Sequence, residues 1–125
     1  MDYTHLIEEA TAHYKSLLEE QLRRQTRMET ASPAKDFTKA ERIVVGLVPG
    51  DGIGPIIMEQ AERVLRKLLA DDLASGRVEL RAISGLTIEN RLALGRALPE
   101  DTLSAMKQCD VLLKGPTTTP KGGTL

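Results

Sequence analysis

Aromatic side chains are almost missing from this chain: two tyrosines, one phenylalanine and no tryptophan in 125 residues. Stacking platforms for single-stranded nucleic acid therefore have almost no raw material. Cysteine is nearly as scarce, and Cys109 alone excludes both an internal disulfide framework and a cysteine-rich zinc site, which favours a reducing, cytoplasmic setting. Neither sign of charge dominates. With 17 Lys and Arg against 18 Asp and Glu the net charge is -1, so no long-range field draws the chain toward nucleic acid or an anionic membrane. No run approaches the roughly 20 apolar residues that a bilayer requires. The segment Met1 to Glu9 is acidic where a secretory or transit peptide is basic. Internal repeats and low-complexity tracts are absent as well.

What is present is periodic. From Tyr3 to Met28 the residues Leu6, Ile7, Ala10, Tyr14, Leu17, Leu18 and Leu22 recur at three- and four-residue spacings, which predicts an amphipathic helix. Glu19 with Arg23 and Glu20 with Arg24 stand in the acid-first i,i+4 order, each pair worth only about 0.2–0.5 kcal/mol. Thr30 to Asp36 is small, polar and interrupted by Pro33, as a linker would be. These features place a boundary near Ala40, dividing the chain into 1–40 and 41–125.

Beyond it, Ile43-Val44-Val45-Gly46-Leu47-Val48 is continuously apolar and stops at Pro49-Gly50-Asp51-Gly52, the pattern of a central strand buried on both faces. Pro55 suits a first helical turn, and Ile57, Ala61, Val64, Leu65, Leu68 and Leu69 mark one face of the helix that follows. Arg77 to Ile83 alternates polar with apolar and predicts a second strand. Pro99-Glu100-Asp101 introduces a short helix over Leu103 to Gln108, and Asp110 to Lys114 then predicts a third buried strand. The order β-α-β-α-β specifies an α/β fold with a parallel sheet layered by helices.

Two loops carry residues suited to ligand binding. Gly50-Asp51-Gly52-Ile53-Gly54-Pro55 lies between the first strand and its helix, where chain reversal and close backbone approach favour residues without a Cβ. Its G-x-G-x-G spacing is neither the G-x-G-x-x-G dinucleotide fingerprint nor a P-loop, and a plain strand-to-helix turn accounts for it equally well. Lys114-Gly115-Pro116-Thr117-Thr118-Thr119-Pro120 leaves the presumed carboxyl end of a parallel strand, where open α/β sheets bind their ligands. Lys114 can neutralise a carboxylate or phosphate, and three hydroxyls can donate to carboxylate oxygens or a cofactor amide. The competing reading is a proline-stiffened surface loop facing water.

Taken together, the two loops resemble the isocitrate/isopropylmalate dehydrogenase family over Arg42 to Leu125. Val48-Pro49-Gly50-Asp51-Gly52-Ile53-Gly54-Pro55 is similar to the family's N-terminal signature, and Ala97-Leu98-Pro99-Glu100-Asp101-Thr102-Leu103 to its approach to the next strand. Ile56 departs from the pattern, since many members carry an acidic residue after the Gly-Pro. Leu113-Lys114-Gly115-Pro116-Thr117-Thr118-Thr119-Pro120 resembles the isocitrate branch. The resemblance implies metal-assisted oxidative decarboxylation of isocitrate to 2-oxoglutarate with NAD or NADP and Mg2+ or Mn2+, in a homodimer or higher homo-oligomer. It places Lys114, Thr117 and Thr119 at the substrate. At the cofactor it places Thr117, Thr118 and Thr119, with Gly50, Asp51, Gly52 and Gly54 shaping the cleft. The acid/base tyrosine and lysine, the metal-binding aspartates and the substrate clamp of such enzymes lie further along than Leu125, so no catalytic or metal-binding residue is expected within the chain.

Local stand-ins for that machinery fail on position. His5 and His13 are eight residues apart on the first helix, about 12 Å along its axis, too far to share a metal. Tyr14 lies outside the resemblance, Asp71-Asp72 reads as a solvated acidic turn, and Cys109 as a small buried hydrophobe without a partner base. The ending Gly122-Gly123-Thr124-Leu125 resembles an internal loop, so the chain is expected to be the N-terminal portion of a larger dehydrogenase and to be inactive alone. Three alternatives remain open: an isopropylmalate-type parent, a non-catalytic assembly module that associates through the first helix, and a stand-alone nucleotide-binding protein.

Overall fold

The computed structural model describes residues 3–120, so the Gly122–Leu125 ending lies outside the described residues. The chain divides between Lys35 and Asp36 into two units.

The first unit is one helix, α1 (Thr4–Glu29), 26 residues long with none buried. It is held by its own backbone and by local side-chain bonds, among them Thr11 Oγ1 to the Ile7 carbonyl at 2.7 Å and Gln25 Nε2 to Glu29 at 3.0 Å. The apolar stripe exists as the spacing predicts, but Ile7, Tyr14 and Leu22 are each more than 60% exposed. Such a helix gains nothing from tertiary burial, the usual source of helical stability in proteins.

The second unit runs β1 (Ile43–Val48), α2 (Gly54–Leu68), α3 (Ala70–Ala74), β2 (Val78–Ala82), α4 (Ile88–Leu94), α5 (Glu100–Lys107) and β3 (Val111–Lys114). The strands form one parallel sheet in the order β2-β1-β3, with Ile43 opposite Val78 and Val48 opposite Lys114. β1 is central, as its unbroken hydrophobicity requires, and its burial deepens from half-buried at Ile43 to buried at Gly46, Leu47 and Val48. Gly46 is needed there: a Cβ would stand 2.7 Å from Leu112, 2.9 Å from Cys109 and 2.9 Å from Ile83. Val48, Ile83 and Leu86 form the core cluster, against which Ala105, Met106 and half-buried Cys109 pack.

Three expectations need correction. β3 forms where predicted but is an edge strand, with Val111 and Leu112 nearly half exposed, because within the described residues nothing pairs on its outer side or covers both faces. The inward face of α2 is Met58, Ala61 and Leu65, followed by half-buried Leu69 just past its end, while Ile57, Val64 and Leu68 point outward; an apolar stripe wider than one face does not say which edge of it turns in. Asp71 and Asp72 sit in the first turn of α3 rather than in a turn, where the positive end of the helix dipole favours them.

Two short helices, α3 and α4, were not evident from periodicity. α4 is bounded by its ends: the Thr87 hydroxyl accepts from the Asn90 N–H at 3.3 Å, and Gly95 takes the left-handed C-cap with φ of 60°. Asn90 Nδ2 also donates to the Gly85 carbonyl at 2.8 Å, tying α4 to the loop after β2. Buried Thr102 donates to the Ser84 carbonyl at 3.2 Å and ties α5 to the same loop.

Candidate functional site

Because β1 and β3 are parallel neighbours, their carboxyl ends open side by side, and the loops leaving them meet. The Gly115 N–H donates to the Val48 carbonyl at 2.8 Å, continuing the ladder one residue past the strand, and the Asp51 N–H donates to the Pro116 carbonyl at 3.1 Å. Gly50 occupies the left-handed region with φ of 73°, and a Cβ there would lie 2.0 Å from the Pro116 oxygen. Any side chain at 50 would drive the loops apart. A Cβ on Gly52 would reach within 3.2 Å of Thr118 Oγ1. Gly54 is buried at the start of α2, its N–H donating to the Asp51 carbonyl at 2.9 Å.

At the centre of the contact lies a buried polar group that spans three segments. Asp51 is turned inward and only 8% exposed; one carboxylate oxygen accepts from the Thr118 N–H, and the other lies 3.5 Å from Arg91 Nη2. Arg91, on α4 and 6% exposed, also donates through Nη2 to the Thr118 carbonyl. The Asp51 carboxyl is held below its usual pKa. Hydrogen bonding from the Thr118 side chain contributes most, burial opposes it, and the Thr118 N–H and the Arg91 charge lower it further. Arg91 Nε is buried without a hydrogen-bond partner.

The binding residues named from sequence thus separate by environment. Gly50, Asp51, Gly52 and Gly54 come together with Thr118, but Asp51 faces the protein. Lys114 is exposed; its Nζ donates to the Gly115 carbonyl at 2.9 Å and reaches Thr117 Oγ1 at 3.5 Å. Thr117 is half-buried, and Thr118 and Thr119 are exposed. The open side of this loop therefore presents an ammonium group and threonine hydroxyls, donors suited to carboxylate oxygens. Arg91 was not legible in advance, since a lone arginine on a short helix carries no spacing signal and only the caps at Thr87 and Gly95 hinted that its segment was ordered.

Among the described residues no group of three or more His, Cys, Asp or Glu side chains could hold a metal ion, and no helix is long and apolar enough to cross a membrane. His5, His13 and Tyr14 are exposed on α1. Two shallow depressions of about 410 and 500 Å3 lie along α2 and α1, and each is lined by side chains of one helix only. Neither has the convergent polar groups of a ligand site.

Residues 44–124 match the profile of the family described as isocitrate/isopropylmalate dehydrogenase. The chain is 39% identical over 71 residues to the 3-isopropylmalate dehydrogenase of Desulfitobacterium hafniense (strain Y51), covering 57% of this chain and 19% of that protein. It is 41% identical over 85 residues to the isocitrate dehydrogenase [NADP] of Caldococcus noboribetus, covering 66% of this chain and 19% of that protein. The 3-isopropylmalate dehydrogenase of Carboxydothermus hydrogenoformans is 38% identical over 79 residues. The match spans about a fifth of the length of these relatives. Both substrate branches are represented among them, and the matched region contains both loops and the sheet that joins them: the chain belongs to the isocitrate/isopropylmalate dehydrogenase family.

Proposed function

We propose that this chain is the N-terminal portion of an NAD(P)-dependent isocitrate dehydrogenase, to which it contributes one wall of the substrate and nicotinamide cleft. The observation that carries the reading is the loop Lys114–Thr119, set beside Gly50–Gly54 at the carboxyl ends of two adjacent parallel strands. The substrates of the two branches differ at one substituent, which is charged in isocitrate and a branched alkyl group in isopropylmalate. An exposed ammonium beside threonine hydroxyls matches the carboxylate and would be left poorly paired by an isopropyl group.

Within that reading, Lys114 retains donor capacity beyond its bond to Gly115 and neutralises a substrate carboxylate, while Thr117 and Thr119 donate to its oxygens. Thr118, exposed beside Gly52, donates a hydrogen bond from its hydroxyl to Asp51 and keeps its oxygen to accept from the carboxamide N–H of a bound nicotinamide, NAD or NADP, which when bound accepts the hydride. The described residues do not supply a carboxylate cluster for Mg2+ or Mn2+. These are binding roles. Without groups that act on the transition state, the 125-residue chain is expected to turn over neither substrate.

A pair of chimeras tests the substrate reading. Residues 44–120 replace the matching segment in the Caldococcus isocitrate dehydrogenase and in the Desulfitobacterium 3-isopropylmalate dehydrogenase, and each product is assayed with its own substrate. Isocitrate turnover retained in the first, with isopropylmalate turnover lost in the second, is the expected result. The reverse pattern would assign the chain to the isopropylmalate branch.

A further inference from the structure

We infer that Arg91 is a positioning residue that acts through Asp51 and the Thr118 carbonyl to set the conformation of the threonine loop. The functional meaning of this rests on the proposal that the loop faces substrate and cofactor; the structural statement does not.

Residues 115–120 have no helix or strand of their own. Gly115 is anchored by the Val48 carbonyl and Pro116 by the Asp51 N–H, but both anchors precede the threonines. At Thr118 the backbone is held on both sides: its N–H by the Asp51 carboxylate, its carbonyl by Arg91 Nη2. Since Arg91 also faces Asp51 at 3.5 Å, the three residues close a ring linking the loop after β1, the loop after β3 and α4. The two peptide units that meet at the Thr118 Cα, one held at its N–H and the next at its carbonyl, have little freedom left, so the hydroxyls on either side, Thr117 and Thr119, are presented from a defined backbone.

A stability role alone explains the arginine poorly. Burying a guanidinium costs more than packing an apolar side chain of similar volume unless every donor is satisfied, and here Nε is buried and unpaired. What the side chain does supply is a charge-assisted donor at one point, Nη2, where a carboxylate and a backbone carbonyl converge. Arg91 reaches this point because α4 is itself fixed, through Asn90 to the Gly85 carbonyl and through the Thr87 cap.

The test is amide hydrogen exchange, read by NMR on the 125-residue chain, with the Thr118 N–H as reporter and the Ile83 N–H, bonded to the Leu47 carbonyl at 2.8 Å, as the reference for the sheet. In Arg91→Met the Thr118 protection factor is expected to fall by about tenfold or more while that of Ile83 changes by less than about twofold. Arg91→Lys, which restores a cation without the fork, should recover part of the loss. Asp51→Asn, which keeps an acceptor oxygen and removes the charge, should fall between Arg91→Met and the unsubstituted chain. Unchanged Thr118 protection in Arg91→Met overturns the inference, and so does a parallel fall at Ile83 in both arginine variants, which would make the residue merely structural. An unprotected Thr118 amide in the unsubstituted chain overturns it before any variant is made. Exchange requires no substrate, so a failed isocitrate chimera leaves this result standing, and a failure here leaves the substrate reading standing.

Discussion

α1 and the paired loops after β1 and β3 are opposites. The helix has the most regular pattern in the sequence and buries none of its residues; the loops have no periodicity at all, yet one of them contributes buried Asp51 and both meet buried Arg91 of α4. The contrast separates two kinds of information. Periodicity reports which local conformation would put apolar groups on one side, whereas burial depends on whether another part of the chain arrives there. In the loops, the parallel pairing of β1 with β3 brings that other part, and the glycines let it approach.

The difference can be broken most forcefully at Gly50. Gly50→Ala puts a Cβ 2.0 Å from the Pro116 oxygen in a backbone region that L-residues rarely adopt, and should cost about 3 kcal/mol or more, read as a lower urea midpoint. A midpoint that does not move would mean that the two loops are not in contact in solution. Next comes Met58→Ala beneath the same junction. Met58 is 5% exposed and would lie 2.8 Å from a Cβ on Gly115, so a loss of about 2–3 kcal/mol is expected from the cavity.

Acid should loosen the loops without unfolding the sheet first. The Asp51 pKa is depressed below its ordinary 3.8, so its contribution is fully present above that value and is lost as pH falls through the lower folded pKa. Thr118 amide protection, corrected for intrinsic exchange, should be flat from neutral pH to about 4 and decline below it, ahead of Ile83. A decline centred near pH 6 would assign the linkage to another group. The smallest effect belongs to α1: Tyr14→Ser, at a position 62% exposed, should change the unfolding free energy of the unit over 36–125 by no more than about 0.5 kcal/mol. A larger shift in calorimetry would show that the helix is covered in solution.

Much of the fold was legible in advance, and for identifiable reasons. Ile43 to Val48 is apolar without interruption because both faces of β1 are covered, most fully at Gly46, Leu47 and Val48, and Arg77 to Ile83 forms a strand as its alternation predicts, although its burial does not alternate. α3 and α4 were not legible, being five and seven residues long and too short to complete a recognisable apolar period. The site was visible in its composition but not in its wiring. Glycines at 50, 52 and 54 and threonines at 117–119 advertised two loops of interest; that Asp51 turns inward, and that an arginine 40 residues away holds both it and Thr118, depended on contacts no local window contains.

By itself the sequence determined the strands and the longer helices, the parallel α/β class and the family resemblance, because these rest on local periodicity and on short motifs whose spacing survives without coordinates. Tertiary structure alone decided which edge of the α2 stripe turns inward, that β3 is exposed as an edge, and which charged groups meet beneath the threonine loop. Each of these outcomes is set by what packs against a residue from elsewhere in the chain, and burial, unlike conformation, is a property of at least two segments at once.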